Sequence, residues 1–201
     1  MNPKMKALKN KKGSIDIIII RHGETPLNKE KRIRGWSDVP LAKDAVPTIK
    51  KTARELKGNL DVIVTSDLER ATDTADIISD ITGAPIKEVT MKFRPWDVGH
   101  HTGQPQQEVY KFMADAARHE PNEKIEGGES FNSFKDRFLD AVKSLKKKYK
   151  GQRVGIVTHH RGDRIFAAWH KKGFPNDNSI NMDMFLSGGI DPGEAAEPVE
   201  Y

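Results

Sequence analysis

Two histidines each come directly after a short apolar run, and each stands beside groups suited to phosphate chemistry. His22 is flanked by Arg21 and Gly23, and His159 follows a second apolar run much later in the chain. A neutral imidazole nitrogen can attack phosphorus, and a guanidinium can bind two phosphate oxygens with parallel hydrogen bonds. A glycine beside the nucleophile lets a phosphate approach the backbone closely. These residues predict a phosphoryl-transfer site with His22 as the nucleophile.

Further polar residues follow the other strand-like segments of the chain. They are Ser66, Arg70, Arg94 and Asp97. Ligands of open α/β sheets bind beyond the carboxyl ends of the strands, so these side chains are expected to converge with His22 and His159. Phosphoryl transfer needs positive charge on the phosphoryl oxygens and an acid for the departing oxygen. Arg21 and Arg70 would supply the positive charge, and Asp97 is the first choice for the acid.

Strand-like and helix-like segments alternate, which predicts the α/β class with a mostly parallel central sheet and helices on both faces. The β-branched run Ile15–Ile20 lacks alternation and is predicted to be a central strand covered on both faces. Other strands are predicted at 61–65, 86–89, 153–157, 182–186 and 197–201, and helices at 44–57, 68–82, 107–117, from 130 onward, and around 165–169. The polar stretch that ends at 127–128 predicts a lid-like insertion.

The bulk composition indicates one globular domain with a basic leader. The length of 201 residues suits a single core. Five of the 34 Lys and Arg residues lie within residues 1–12, so the remaining 29 balance the 29 Asp and Glu residues. We therefore predict a disordered leader at 1–13 and a single domain at 14–201, with no nucleic-acid or membrane partner. The chain has no cysteine, which excludes disulfides and thiolate chemistry and agrees with a cytoplasmic location.

Three motifs, in order along the chain, resemble the histidine phosphatase superfamily, the phosphoglycerate mutase-like group. They are Arg21-His22-Gly23-Glu24-Thr25 with Asn28 and Gly35-Trp36-Ser37-Asp38, then Ser66-Asp67-Leu68-Glu69-Arg70-Ala71 with Thr74-Ala75, and finally Val157-Thr158-His159. The resemblance implies a phosphoglycerate mutase-like fold, a phosphohistidine at His22, and no metal ion or other cofactor. The phosphate- and substrate-binding residues that it implies are Arg21, Gly23, Thr25, Asn28, Arg70 and His159.

The sequence departs from the family pattern at the group that protonates the leaving oxygen. The family has a glutamate four residues before a glycine, and alignment on Gly99 places Pro95 there. Asp97 is the nearest carboxyl group, although it could instead pair with Arg94. The second and third choices for the acid are Glu129 and His100. His160 also stands where the family often has glycine.

The leading hypothesis is a histidine acid-type phosphatase, a metal-independent phosphomonoester hydrolase acting on a small phosphorylated substrate. A mutase-type phosphotransferase would use the same intermediate, and a non-catalytic phosphate-binding module is the third alternative. The loop Arg94-Pro95-Trp96-Asp97 is unlike the mutase pattern, which favours the hydrolase. The adjacent pairs His100-His101 and His159-His160 do not predict a metal site, because neighbouring side chains in an extended segment point to opposite faces.

Overall fold

A five-stranded, mostly parallel sheet forms the centre of the computed structural model, which describes residues 13–201. The strands are β1 (Asp16–Arg21), β2 (Val62–Thr65), β3 (Ile86–Val89), β4 (Arg153–Thr158) and β5 (Val199–Glu200). They lie in the order β3-β2-β4-β1-β5, and only β5 runs antiparallel to its neighbour. The predicted fold class is confirmed. The leader predicted at 1–13 lies, apart from Gly13, outside the described residues.

Seven α-helices occur within residues 13–201. They are α1 (Pro26–Lys29), α2 (Val46–Leu56), α3 (Glu69–Thr82), α4 (Gln106–His119), α5 (Phe131–Lys148), α6 (His160–Lys171) and α7 (Met182–Leu186). Local signals fix several ends. The Ser130 hydroxyl accepts a hydrogen bond from the Ser133 amide at the start of α5, and α3 ends at Gly83, whose φ of 78° suits glycine. None of these helices is long and apolar enough to cross a membrane.

The sheet separates two hydrophobic cores, and β1 contributes to both. Ile17 and Ile19 pack into the larger core with α4, α5 and α6. Ile18 and Ile20 pack into the smaller core with α2 and α3. Successive strand residues point to opposite faces, so a strand covered on both sides needs apolar residues without alternation. The sequence run therefore predicted the covering of β1 correctly.

β1 is an interior strand of the sheet, as predicted, although β4 occupies the middle position. β4 pairs in parallel with β1 on one side and with β2 on the other. The other edge of β1 pairs with β5 and, through Ile20, with Ala195, and further backbone hydrogen bonds join it to Glu194 and Ala196. An apolar run shows that both faces of a strand are buried, but it carries no information about which strands lie on its edges.

The two late strands predicted from the sequence have different outcomes. The prediction at 197–201 is confirmed by β5. The prediction at 182–186 is wrong, because this segment is the helix α7. The Asn181 side chain accepts a hydrogen bond from the Met184 amide and caps the helix, while the Phe185 ring packs 5.0 Å from the Phe131 ring. Cap and core contact together outweigh the strand-like pattern of a five-residue segment.

Candidate active site

The carboxyl ends of β1, β2 and β4 bring the predicted polar residues to one edge of the sheet. The sheet hydrogen bonding continues one residue past each strand, since the His22 amide donates to the Thr158 carbonyl at 2.9 Å and the Ser66 amide donates to the Val157 carbonyl at 3.0 Å. The His22 and His159 rings lie with their centroids 5.0 Å apart. The His159 Nε2 and Ser66 Oγ atoms are in hydrogen-bond contact at 2.9 Å. The predicted convergence of these three strand ends is therefore observed.

The protonation state of His22 follows from its contact with the backbone. Its Nδ1 lies 2.6 Å from the Gly23 carbonyl oxygen. A carbonyl oxygen only accepts hydrogen bonds, so Nδ1 carries the hydrogen and Nε2 keeps its lone pair. Nε2 is buried and has no hydrogen-bond partner within residues 13–201. Burial lowers the pKa of His22 well below its usual value, and the charges of Arg70 and Arg34 lower it further.

His159 is the second buried imidazole of the pair. Its Nδ1 has no hydrogen-bond partner in the described part of the chain. Burial lowers the pKa of His159 well below its usual value, and the neighbouring charge of Arg70 acts in the same direction. An anion between the two rings would oppose both effects, because it favours the protonated form. His159 is thus a group whose charge responds to a bound phosphate.

Arg70 is fixed against the loop that follows α1. Its two terminal nitrogens donate to the carbonyl oxygens of Ser37 at 2.8 Å and of Gly35 at 3.1 Å. Its Nε is buried without a partner in residues 13–201. Burial lowers the pKa of Arg70 to about 9, and the nearby Arg34 contributes to the shift. The side chain is therefore a pre-positioned cation with one donor still available.

Arg21 lies beside the pocket and is held by the segment that precedes β5. Its Nη1 donates to the Ile190 carbonyl at 2.8 Å and contacts the His160 Nδ1 at 3.0 Å. A guanidinium only donates, so the His160 Nδ1 accepts and the hydrogen of that ring is on Nε2. Burial lowers the pKa of His160 to about 2, with Arg21 as the next cause. His160 is therefore a neutral ring at neutral pH.

The pocket beside the two histidines has a cavity volume of about 40 Å³ and is partly open to solvent. Its basic side consists of His22, Arg34, Arg70, His159, His160 and Arg161, and its other wall consists of Ile33, Gly35, Pro95, Trp96, Val98, Tyr110 and Met113. No carboxylate from residues 13–201 lines it. The last two wall residues belong to α4, the helix that precedes the polar stretch predicted as a lid. The arrangement suits an anionic ligand.

Sequence reasoning missed several lining residues. Arg34 directly precedes Gly35 of the first motif, and Arg161 lies two residues after His159. A search for cations adjacent to the motifs would have found both. Tyr110 and Met113 lie on α4, far from any motif, and only the packing of that helix brings them to the pocket. No sequence signal identifies them.

None of the three predicted proton donors lines the pocket. The Asp97 carboxylate accepts a hydrogen bond from the Gly99 amide at 3.1 Å, and Glu129 pairs with Arg137 at 2.6 Å. His100 is exposed and contacts the Glu126 carbonyl oxygen.

Arg94 does not join the phosphate-binding group or pair with Asp97. It forms two hydrogen bonds of 2.7 Å to the Asp67 carboxylate. Pro95, at the position of the family glutamate, does line the pocket. The predicted contribution of this loop to the charged part of the site is thus not seen.

The remaining predicted binding residues shape the first-motif loop. Thr25 is buried and its hydroxyl donates to the Asn28 side-chain oxygen at 2.7 Å, so the pair caps α1. Neither residue lines the pocket. The Gly23 amide donates to the Thr74 hydroxyl at 3.0 Å, and a Cβ on Gly23 would lie 2.5 Å from Ile49 Cδ1. Packing against α2 is therefore a second reason for glycine beside His22.

Within residues 13–201 no group of three or more histidine, aspartate or glutamate side chains is arranged to hold a metal ion. The guanidiniums of the pocket provide the positive charge that a phosphate ligand requires.

The fold and the paired histidines define a class of protein, and comparison with known sequences identifies it. Residues 17–185 match the family described as the histidine phosphatase superfamily (branch 1), so the chain belongs to this superfamily. Among solved structures, the fold is similar to that of Bacillus stearothermophilus YhfR, with a TM-score of 0.74 and 26% identity over 90% of this chain and 89% of that chain.

Two curated relatives from Arabidopsis thaliana illustrate the range of functions near this sequence. The chain is 33% identical to a metal-independent phosphoserine phosphatase over 153 residues, which covers 72% of this chain and 63% of the relative. It is 30% identical to phosphoglycerate mutase-like protein 4 over 151 residues, which covers 72% of this chain and 66% of the relative. The chain thus spans slightly less than two thirds of the length of these relatives.

Proposed function

We propose that this protein is a metal-independent phosphomonoester hydrolase that works through a phosphohistidine on His22. The observation that carries the proposal is the tautomer of His22, whose Nδ1–H is fixed by the Gly23 carbonyl while the buried Nε2 has no partner in residues 13–201. A lone pair held in one direction and shielded from water is what attack on phosphorus requires. The proposal is supported by a relative, 33% identical to this chain, that is named as a metal-independent phosphoserine phosphatase.

In the proposed reaction, His22 Nε2 forms a bond to phosphorus as the bond from phosphorus to the ester oxygen breaks. The alcohol leaves with a proton from an acid, and water then attacks the phosphohistidine while giving a proton back to that group, which releases inorganic phosphate and restores both the imidazole and the acid. Arg70 and Arg21 would neutralise the phosphoryl oxygens, and His159 would donate a hydrogen bond once the bound anion has raised its pKa. Guanidinium charge takes the place that a metal ion fills in other phosphatases.

Asp97 stays the acid that the sequence predicts. Because it lies outside the pocket, we expect the choice of leaving group to be restricted. Without an acid at the ester oxygen, a good leaving group such as p-nitrophenolate departs more easily than an alkoxide. We therefore expect aryl phosphates to be hydrolysed faster than alkyl phosphates. If Asp97 or Glu129 is the acid, then Asp97→Asn or Glu129→Gln will slow alkyl phosphates much more than aryl phosphates.

One observation favours a phosphotransferase of the mutase type as the second candidate. No carboxylate from the described residues lines the pocket, so no such group stands ready to activate water against the phosphohistidine. A long-lived phosphohistidine could return its phosphoryl group to a second alcohol. The predicted cytoplasmic location and the absence of a nucleic-acid partner stay predictions from the sequence.

Trapping of the phosphoenzyme tests the proposal. Wild type, His22→Ala and the exposed control His119→Ala are incubated with p-nitrophenyl phosphate and with an alkyl phosphate, with and without a chelator. We expect an acid-labile phosphoenzyme and chelator-resistant phosphate release in wild type and in the control, and neither in His22→Ala. Turnover that needs a metal, or that survives the loss of His22, would contradict the proposal. Binding of phosphate without any turnover would indicate the non-catalytic module, and transfer to an added alcohol without release would indicate the mutase type.

A further inference from the structure

The pocket holds a second set of guanidiniums that a single phosphoryl group does not require. A phosphomonoester carries a charge of about −2 at neutral pH, which Arg21 and Arg70 can balance. Arg34 and Arg161 line the pocket together with Arg70, whereas Arg21 lies beside it. Neither is joined by an ion pair to any carboxylate within residues 13–201. The pocket therefore has more positive charge than its phosphate requires.

Arg161 is the clearer of the two, because its guanidinium is buried in apolar surroundings. The side chain is 7% exposed. Its guanidinium carbon lies 4.8 Å from the centre of the Tyr110 ring and 5.5 Å from that of Phe185, and its Nη2 contacts the Met113 sulfur at 3.9 Å. Aromatic rings and a thioether offset only part of the cost of burying a cation. A buried charge in a protein is ordinarily paired, so an anionic partner is expected here.

The nearest acidic group does not fill this role. Asp163 lies on α6 two residues after Arg161, but its carboxylate contacts the Ile190 amide at 3.4 Å and His160 at 3.8 Å. Burial raises the pKa of Asp163 to about 7, so the group is partly protonated at neutral pH. The contacts of Asp163 are thus with Ile190 and His160, and it forms no ion pair with Arg161.

Arg34, in the loop that follows α1, extends the same positive region. Its Nη1 donates to the Arg32 carbonyl at 3.2 Å, and its other nitrogens are available. Burial lowers the pKa of Arg34 to about 10, with Arg21 as the next cause, yet the group stays charged at neutral pH. Arg34 and Arg161 therefore face one pocket together with the His22–His159 pair.

We propose that Arg161, assisted by Arg34, forms a second anion-binding subsite, and that the substrate is a phosphomonoester carrying a second anionic group. The inference rests on the proposed function for the phosphate half of the pocket. The second group is a carboxylate or another phosphate, since both accept hydrogen bonds from a guanidinium. It lies on the side of the pocket covered by α4, where Tyr110 and Met113 surround Arg161.

Matched esters test the subsite in the wild-type protein. The probes are 3-phosphooxypropanoate, its primary amide, and propane-1,3-diol bisphosphate, each with homologues one and two methylenes longer. A charge-assisted hydrogen bond contributes enough that we expect kcat/KM for an anionic probe to exceed that for the amide roughly 10- to 100-fold. Preference for the carboxylate or for the bisphosphate identifies the group. Equal kcat/KM for all probes at every length would overturn the subsite.

Variants assign the preference to Arg161. The ratio of kcat/KM for the anionic probe to that for the amide is measured within each variant, so a general change in activity cancels. We expect Arg161→Met to bring the ratio close to one and Arg161→Lys to keep part of it. The exposed α4 variant Arg118→Met serves as the control and should keep the wild-type ratio. If Arg161→Met leaves the ratio unchanged, the proposal is contradicted. If Arg161→Met fails to fold, Arg161→Lys is used instead, and a ratio equal to that of wild type contradicts the proposal.

Binding measurements distinguish a failure of this inference from a failure of the proposed function. Calorimetry with His22→Ala and the same probes reports the subsite without turnover. If no ester is hydrolysed but the anionic probe binds more tightly than the amide, the proposed function fails and the subsite stands. If all esters are hydrolysed through His22 with equal efficiency and bind equally, the subsite fails and the proposed function stands.

Discussion

Two regions of the pocket differ in what their polar groups contact, although both are rich in chemically useful residues. The strand-end side, formed by His22, Arg70 and His159, keeps polar atoms without partners: His22 Nε2, Arg70 Nε and His159 Nδ1 are buried and unpaired within residues 13–201. Buried polar atoms are almost always hydrogen-bonded in proteins. These atoms are therefore the ones suited to a ligand.

The β3 loop, residues 90–101, uses its polar groups for its own structure. Arg94 is bound to Asp67, and the Asp97 carboxylate accepts from a backbone amide of the same loop. Arg137 of α5 donates to the carbonyl oxygens of the loop at Met91, Lys92, Arg94 and Pro95 and also pairs with Glu129. A charged residue near a pocket is therefore free to bind a ligand only when no other residue of the fold is already bonded to it.

Removal of the Arg70 guanidinium should produce the largest effect. For Arg70→Met we expect kcat/KM for p-nitrophenyl phosphate to fall roughly 10²–10³-fold, because a pre-positioned donor to the transferring group is lost. Arg94→Met, on the β3 loop, removes the same charge and should change kcat/KM less than about threefold. Steady-state kinetics with circular dichroism as a folding check measures both. Equal losses of kcat/KM in the two variants would show that the strand-end side and the β3 loop do not differ in their contribution to activity.

An acid placed on the β3 loop should increase activity. Pro95 lines the pocket, so Pro95→Glu brings a carboxyl group to the wall that has none among residues 13–201. General acid catalysis typically contributes about 10²-fold or more, and we expect faster hydrolysis of alkyl phosphates with little change for aryl phosphates. Pro95→Gln is the matched control of the same size. A similar rate for both variants would show that an acid at this position is not what limits the reaction.

The β3 loop should depend on Arg137 for stability. Arg137→Met leaves Glu129 and several loop carbonyls without their partner, and we expect the free energy of unfolding to fall by about 2–4 kcal/mol. Chemical denaturation measures this change. The double variant Arg137→Met with Glu129→Gln should lose less than the sum of the single variants, because the two residues are paired. Strict additivity would show that the pair contributes nothing.

α6, which begins directly after His159 of the strand-end side, should respond to pH through its buried Asp163. Burial raises the pKa of Asp163 to about 7, above the ordinary value of 3.8. The folded state therefore binds the proton more tightly than the unfolded state, and the stability this gives is present at low pH and is lost as the pH rises through about 7. We expect wild type to lose about 1.4 kcal/mol between pH 6 and pH 8 relative to Asp163→Asn. Denaturation at both pH values tests this, with the exposed variant Asp115→Asn as the control.

The sequence alone predicted the α/β class, all five strands and the residues at three strand ends, with one additional strand at 182–186 that is a helix. These predictions succeed because they rest on local signals: apolar runs, caps, and motif residues that follow a strand within a few positions. His22 and His159 were predicted to converge because the backbone of a parallel sheet places the ends of neighbouring strands together. The convergence of these two histidines requires only the pairing of the strands, and no other long-range contact.

The tertiary structure decided which polar groups face the pocket. Asp97, Glu129 and Arg94 have the right chemistry and lie near the right loop, but in the folded chain Arg137 binds Glu129 and Asp67 binds Arg94. Tyr110 reaches the pocket only because α4 packs over it. The central place of β4 was likewise invisible in a sequence that marks burial but not strand neighbours. Local sequence signals thus determined most strands and helices and the predicted nucleophile, whereas the pairing of polar groups in the folded chain determined which other residues face the pocket.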